Sequence, residues 1–421
     1  MVSVYFPMYC REPVLREGTR TMREKNPIRV GISGTGFIAR GLVKVLLSNP
    51  TRYQVSIVLT RRNPETVSEL PGNPVITNSI ARLTEQSDII VECSGTVEGA
   101  RQVVVAAVDA NIPVVTMNAE FQLTLGAAFG GSEMVTEDQG DQPGSLAALD
   151  EEVRLMGFTP LLYGSQKGFL NHNPSKADME YWSKKQGISL SAVTSFTDGT
   201  KVQIEQALVA NALGGGIIHQ GLSGPKSDTL AEAGELLARQ AKEYGQPISD
   251  YALCPTGRGE VFIVATHASP PEQLQYYKLG NGEHYLIERP YHLGHFEIPI
   301  TLERMLSGRG PLLSTKGNPR ISVAAIAKRD LRKGTSVPKA VGSFDFRGEA
   351  VRINDEPNHV PIGLLEDCVL SENIEEGEMV TWNSVVFKHT KSINLWRTLT
   401  SETRNDLGTR SSRPVSDVES V

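Results

Sequence analysis

Residues 28–41, Ile-Arg-Val-Gly-Ile-Ser-Gly-Thr-Gly-Phe-Ile-Ala-Arg-Gly, join an apolar β-run to a glycine-rich turn and the start of a helix. Gly34 permits the tight turn, Gly36 lets an anionic group approach the backbone, and Ala39 is the small residue where helix meets strand. Leu42, Val43, Val45, Leu46 and Leu47 give the helix an apolar face, and Tyr53–Leu59 follows as a second strand. The segment therefore predicts the first βαβ unit of a Rossmann-type, doubly wound parallel α/β sheet. Free N–H groups at the helix start make Gly34, Gly36, Phe37 and Ile38 candidates for holding a dinucleotide pyrophosphate.

The second strand runs into Thr60-Arg61-Arg62-Asn63, where an NAD enzyme carries Asp or Glu for the ribose 2′-hydroxyl. Two guanidinium groups suit a 2′-phosphate instead, because Arg makes bidentate charge-assisted bonds to such oxygens. Arg61 and Arg62 thus point to NADP(H). The α/β rhythm continues through a strand at Asp88–Thr96, a helix at Ala100–Ala110 and a strand at Ile112–Met117. Cys93, Ser94, Gly95 and Asn118, at strand ends on one sheet edge, are candidates to line the nicotinamide half. Cys93 reads as a small packing residue, since no cation or His adjoins it to activate a thiolate.

With 421 residues, 39% hydrophobic and 21% charged, the chain is long enough for two or three cores. A net charge of −6 argues against nucleic acid or an anionic membrane as the main partner. Cys10, Cys93, Cys254 and Cys368 are scattered without a CxxC pair, which fits a reducing compartment. No 18-residue apolar run and no signal-peptide pattern occur, so the expected location is the cytoplasm.

From residue 133 the character shifts. Gly140–Gly144 reads as a turn, Ser145–Met156 as a helix with Ser145 as its cap, and Tyr163–Pro174 as an irregular polar loop after a buried strand. A second polar run, Ser195–Lys201, introduces an apolar helix on which Lys201 and Glu205 lie four residues apart and can pair. That helix, followed by Gly214–Gly216, also suggests an oligomer interface. Asp178 and Glu180 sit among Lys176 and Lys184 as an ordinary charged helix face. His292 and His295 lack a matching acid for a ligand pair, and metal-free chemistry is expected.

Gly140-Asp141-Gln142-Pro143-Gly144, Lys167-Gly168, Ser195–Lys201, Tyr277–Gly282, Arg289–Pro299, Ala327–Leu331 and Pro361–Leu364 together resemble a family. It is the homoserine dehydrogenase-related oxidoreductases with a C-terminal SAF domain, 1-deoxy-D-xylulose 5-phosphate reductoisomerase-like. The resemblance spans roughly residues 27–388 and implies an NADP-dependent oxidoreductase with its site between the nucleotide domain and a middle α+β domain. It implies Lys167, Asp198 and Lys201 as catalytic residues and Asp141, Asn171, Glu205 and His292 as substrate-binding ones. Two departures stand out: Asn118 is followed by Ala119 and Glu120 where homoserine dehydrogenases carry Lys, and Phe169-Leu170 replaces a more polar loop.

Short β-runs from Arg320, at 321–327, 351–353, 368–370 and 379–382, are punctuated by Gly and Pro and resemble a small SAF (β-clip) domain. Lys328, Arg329, Arg332 and Lys333 read as a solvated charged turn. The expected organisation is an N-terminal arm (1–26), a nucleotide domain (27–132), a catalytic and oligomerisation domain (133–319), the SAF domain (320–389) and a flexible tail (390–421). The expected function is hydride transfer between NADP(H) and a small polar, anionic carbonyl or alcohol substrate, with three readings ranked in the order that follows. One is a reductoisomerase of a small anionic sugar phosphate. The second is a simple dehydrogenase of a hydroxy acid, amino-alcohol or polyol acid. The third is a noncatalytic NADP-binding redox regulator.

Overall fold

The computed structural model describes residues 27–67, 70–255, 259, 261–388 and 391–410. The expected N-terminal arm, with Cys10, and the last residues from 411 lie outside them. The first layer is a six-stranded sheet of β1 (Ile28–Ser33), β2 (Tyr53–Leu59), β3 (Val75–Thr77), β4 (Ile89–Glu92), β5 (Val114–Thr116) and β6 (Val135–Glu137). All pairs are parallel, in the order β3-β2-β1-β4-β5-β6. Helices α1 (Phe37–Leu47), α2 (Ile80–Glu85), α3 (Val97–Asp109) and α4 (Ala119–Leu125) make the crossovers. Ala39, Leu42, Val43 and Leu46 recur at helical spacing and are buried, so α1 lies on Ile28, Val30 and Ile32 of β1. The sixth strand moves the expected boundary at 132, because Val114 pairs with Val135 inside the same sheet.

The middle part contains α5 (Gln142–Leu155), β7 (Thr159–Lys167), α6 (Lys176–Gln186), α7 (Leu190–Thr197), α8 (Thr200–Leu213), α9 (Leu230–Tyr244), β8 (Ile248–Leu253), β9 (Val261–Thr266), α10 (Pro271–Tyr276), β10 (Tyr285–Arg289) and α11 (Ile298–Leu306). Its mixed sheet has the order β10-β9-β7-β8, with only β7 and β8 parallel. Strand β7 extends to Lys167, so Ser165 and Gln166 are strand residues paired with β8 and not the expected loop. Helix α5 starts at Gln142 with Asp141 as its cap residue, and Pro143 sits in the first turn, where a missing N–H costs nothing. The expected turn 140–144 is therefore partly helix. Every residue of α8 from Val202 to Ala210 is buried, against α4, α5, β8 and the C-terminal strands. The apolarity that suggests an oligomer interface is used within the chain. Helix α11 returns to the first layer, placing Ile298, Leu302 and Leu306 in the core of β1 and α1. Arg52 clamps it through Glu303 at 2.7 Å.

The C-terminal part pairs β11 (Ile321–Ala327) with β13 (Phe346–Arg352), and β14 (Glu366–Leu370) with both β12 (Ser336–Lys339) and β15 (Val385–Phe387), all antiparallel. Where a flexible tail is expected from 390, Lys391–Arg410 forms helix α12. Ile393 and Trp396 give its first turns a buried stripe on the nucleotide-layer core, a pattern that the polar composition of the segment hides.

Candidate functional site

The first half of the site is a cleft over the carboxyl ends of β1, β2 and β4. Gly34 has φ +127°, and a Cβ there would stand 2.8 Å from the Cys93 carbonyl oxygen. A Cβ on Gly36 or on Gly95 would meet nothing within 4 Å. Gly36 begins α1 without a side-chain cap, leaving its first amides for an anion. Open space above an uncapped helix start fits an extended dinucleotide. Phe37 is 54% exposed beside this turn, edge-on to His295 at 5.7 Å, and Ile38 lies under Gly294.

The arginine pair divides across the cleft. Arg62 Nη2 donates to Thr35 Oγ1 at 2.7 Å, above the glycine turn, and Arg61 Nη1 donates to Thr96 Oγ1 at 3.0 Å, after β4. The Cys93 thiol donates to the Ser33 carbonyl at 3.3 Å, and burial pushes its pKa up, which suits packing and not nucleophilic attack. Ser94 N donates to the buried Glu92 carboxylate, while the Ser94 hydroxyl is buried without a partner among the described residues. Asn118 caps α4 by accepting from Phe121 N, and its Nδ2 donates to the Thr96 carbonyl.

The second half lies where the β5 and β6 ends meet β7 and α8. Lys201 Nζ is 3.4 Å from Asp141, 3.7 Å from Glu120 and 3.8 Å from Glu205. Lys167 Nζ donates to Gln142 Oε1 at 2.9 Å and stands 3.6 Å from the other oxygen of Glu205. Glu205 thus bridges the two lysines. Burial would lower the Lys201 pKa, but Asp141, Glu120, Glu205 and Glu137 outweigh it and raise it, so this ammonium stays charged. Glu205 is held by the opposite balance: burial pushes its carboxyl up to about 7 against the pull of Lys167 and Lys201. Glu137, fully buried at the end of β6, is driven well up by burial and by Asp141, and neither of its oxygens has a hydrogen-bond partner among the described residues. Next to it, burial pushes Asp138 up to about 7, although Gly140 N donates to it at 2.7 Å. One fixed cation and several carboxyls near neutrality can polarise an oxygen and move a proton at one place.

Lys167, Lys201, Glu205 and Asp141 therefore converge. His292 joins them at the rim, where burial and Lys167 lower its pKa and Asp141 opposes them. Asp198 does not. It faces away from the lysines into the C-terminal strands, with Oδ1 accepting from Thr200 N at 2.8 Å and Oδ2 from Lys328 Nζ at 2.6 Å. Both partners are almost completely buried, so Lys328 is no solvated turn residue and Asp198 holds a helix start and not a substrate. Asn171 is exposed, and its bonds stay in its own loop and to the Thr197 carbonyl. Lys176 and Glu180 form an i,i+4 pair on α6. His295 lies on Phe37 while His292 faces the lysines, so the two point to different elements.

Glu120, Glu137 and Gln142 are the site residues that sequence reasoning missed. The departure at Glu120 finds its reason here: an acid in the first turn of α4 meets Lys201 arriving from α8. The signal available was position, since Glu137 ends one strand and Glu120 follows another at the same sheet edge.

Two family models match this chain: "Homoserine dehydrogenase, NAD binding domain" over residues 34–125 and "Oxidoreductase DRL, catalytic domain" over residues 140–298. The chain is also similar to a homoserine dehydrogenase from Thiobacillus denitrificans, with 13% identity, TM-score 0.42, and coverage of 83% of this chain and 98% of that one. A myo-inositol dehydrogenase from Corynebacterium glutamicum shows 11% identity and TM-score 0.40, covering 67% and 90%. A dihydrodipicolinate reductase from Paenisporosarcina sp. TG-14 shows 10% identity and TM-score 0.35, covering 68% and 96%. No curated protein matches. The two family models make the chain an oxidoreductase that uses a nicotinamide dinucleotide.

Proposed function

We propose that the protein is an NADP(H)-dependent dehydrogenase of a small polar alcohol or carbonyl compound, of the amino-alcohol or polyol-acid type. The observation that carries this reading is Lys201 held between Glu120, Asp141 and Glu205 on the cofactor edge of the sheet. When bound, the nicotinamide supplies or takes the hydride. Lys201 donates hydrogen bonds to the reacting oxygen and stabilises its developing negative charge. Glu205 exchanges the hydroxyl proton, and Lys167 biases Glu205 toward its ionised form.

Charge balance favours this reading over a sugar-phosphate reductoisomerase. Both lysines already face carboxylates, and a phosphate dianion would have to compete with Glu120, Asp141 and Glu205 for them. The convergence of the two lysines also weighs against a purely regulatory role, which needs no such pocket. Following NADPH absorbance with amino-alcohols, polyol acids and sugar phosphates tests the reading; turnover of 1-deoxy-D-xylulose 5-phosphate alone would reverse the order. The two small antiparallel sheets after residue 320 support the SAF-like assignment. Free Cys93, Cys254 and Cys368 support a reducing, cytoplasmic setting.

Arg62, over the glycine turn, supports NADP(H) over NAD(H). Arg62→Gln is expected to weaken NADPH by about ten-fold or more, and NADH far less, since a charge-assisted bond is worth roughly 1.5–3 kcal/mol. Fluorescence titration with both cofactors reads the difference, and equal losses would remove the preference.

The pH profile follows from Glu205. Below about 7 its carboxyl holds a proton and cannot accept one, so kcat/KM for alcohol oxidation rises with pH through that value. Carbonyl reduction, which needs the protonated form, falls over the same range. Glu205→Gln should abolish this limb in both directions.

A further inference from the structure

Among the described residues, a lysine of the C-terminal part donates to the turn that follows β4. Lys339, the last residue of β12, extends its Nζ to within 2.8 Å of the Gly95 carbonyl oxygen. Gly95 ends the β4 turn with φ +76°, and the space where its side chain would stand is open. The next residue, Thr96, accepts the guanidinium of Arg61. Lys339 and Arg61 therefore flank two consecutive residues of the cofactor cleft, one from each part of the chain.

The ammonium of Lys339 uses one of its three donors on Gly95. Glu366 stands opposite it in the β12–β14 ladder and feels its charge, without closing to an ion pair among the described residues. A cation tethered by a carbonyl at the mouth of an anion-binding cleft, with donors to spare, is positioned to receive an anionic oxygen. A cavity of about 130 Å³, lined by Arg61, Gly99, Gly363 and Glu366 among others, separates the nucleotide layer from the C-terminal part on this side. The wall of the cleft is thus shared.

We propose that Lys339 is a phosphate ligand of the bound dinucleotide supplied by the C-terminal part, so that cofactor binding joins the first and third parts of the chain. This rests on the dinucleotide reading of the cleft. The anionic oxygen belongs to the 2′-phosphate or to the pyrophosphate, and the experiment separates them.

Dissociation constants of NADPH and NADH are measured by fluorescence on the full chain and on Lys339→Met, Lys339→Arg and Arg62→Gln. Lys339→Met is expected to weaken NADPH roughly ten-fold, and Lys339→Arg to restore most of the loss. A loss confined to NADPH assigns the contact to the 2′-phosphate. One shared by NADH assigns it to the pyrophosphate. Unchanged affinity for both cofactors in Lys339→Met, with Arg62→Gln still impaired, overturns the proposal. So does a loss that Lys339→Arg fails to restore, since the residue then only latches Gly95. If the unaltered protein binds NADPH no more tightly than NADH, the NADP preference proposed above fails, and the Lys339 comparison with either cofactor still decides this one.

Discussion

Lys201→Met is expected to lower kcat about 10²–10³-fold while leaving the NADPH dissociation constant unchanged. The size follows from removing one preorganised donor to the reacting oxygen, which typically costs that much. The proposed cofactor cleft lies over β1, β2 and β4, whereas Lys201 projects from α8, so the two measurements separate chemistry from binding. A second consequence sharpens the test. Without Lys201 the acids Glu120, Asp141 and Glu205 repel one another with only Lys167 to offset them. The limb attributed to Glu205 should then move to higher pH, because a nearby positive charge that favoured ionisation is gone. Lys201→Arg keeps the charge but changes the donor geometry, and should recover the pH profile more fully than the rate. Stopped-flow NADPH oxidation with any accepted substrate reads all three quantities. Full activity in Lys201→Met would remove this residue from the chemistry.

Lys328→Met is expected to cost about 3–5 kcal/mol of stability, the range for stranding one partner of a buried ion pair. Asp198 has no water to turn to, since both side chains are at most 1% exposed. Burial holds the Lys328 pKa below its usual value although Asp198 opposes the shift, so the ammonium depends on its partner. The double variant Lys328→Met with Asp198→Asn should regain much of the loss. The carboxamide oxygen introduced by Asp198→Asn can still accept from Thr200 N and hold the start of α8. Chemical denaturation followed by circular dichroism measures the unaltered chain, the single variant and the double variant; a single variant as stable as the unaltered chain would show the pair to be dispensable.

These two residues also show what a sequence can disclose. The glycine turn is legible because its meaning is local: Gly34, Gly36 and Ala39 act within one strand, one turn and one helix. Lys201 and Glu205 are legible as a pair because a helix sets their spacing. Asp198 misleads because its partner is Lys328, in a different part of the chain, and nothing near either residue announces the other. Glu120 and Glu137 stay hidden for a related reason. Each looks like an ordinary acid at or after a strand end, and only the tertiary fold, with α8 packed on α4, brings them near a lysine. Helix α12 is obscured because a stripe including Ile393 and Trp396 is thin against a polar background.

The return of α11 to the first layer bears on how the protein is made. Ile298, Leu302 and Leu306 complete the core of β1 and α1. A ribosome therefore delivers the whole nucleotide sheet long before the helix that covers one of its faces. Until residue 306 has emerged, Ile28, Val30, Leu42 and Leu46 share a core that is still open, with the middle sheet folding in the interval. Such long-range closure is slow and leaves apolar surface exposed to aggregation during synthesis. The nucleotide layer is translated ahead of the middle and C-terminal parts and is among the last to be finished.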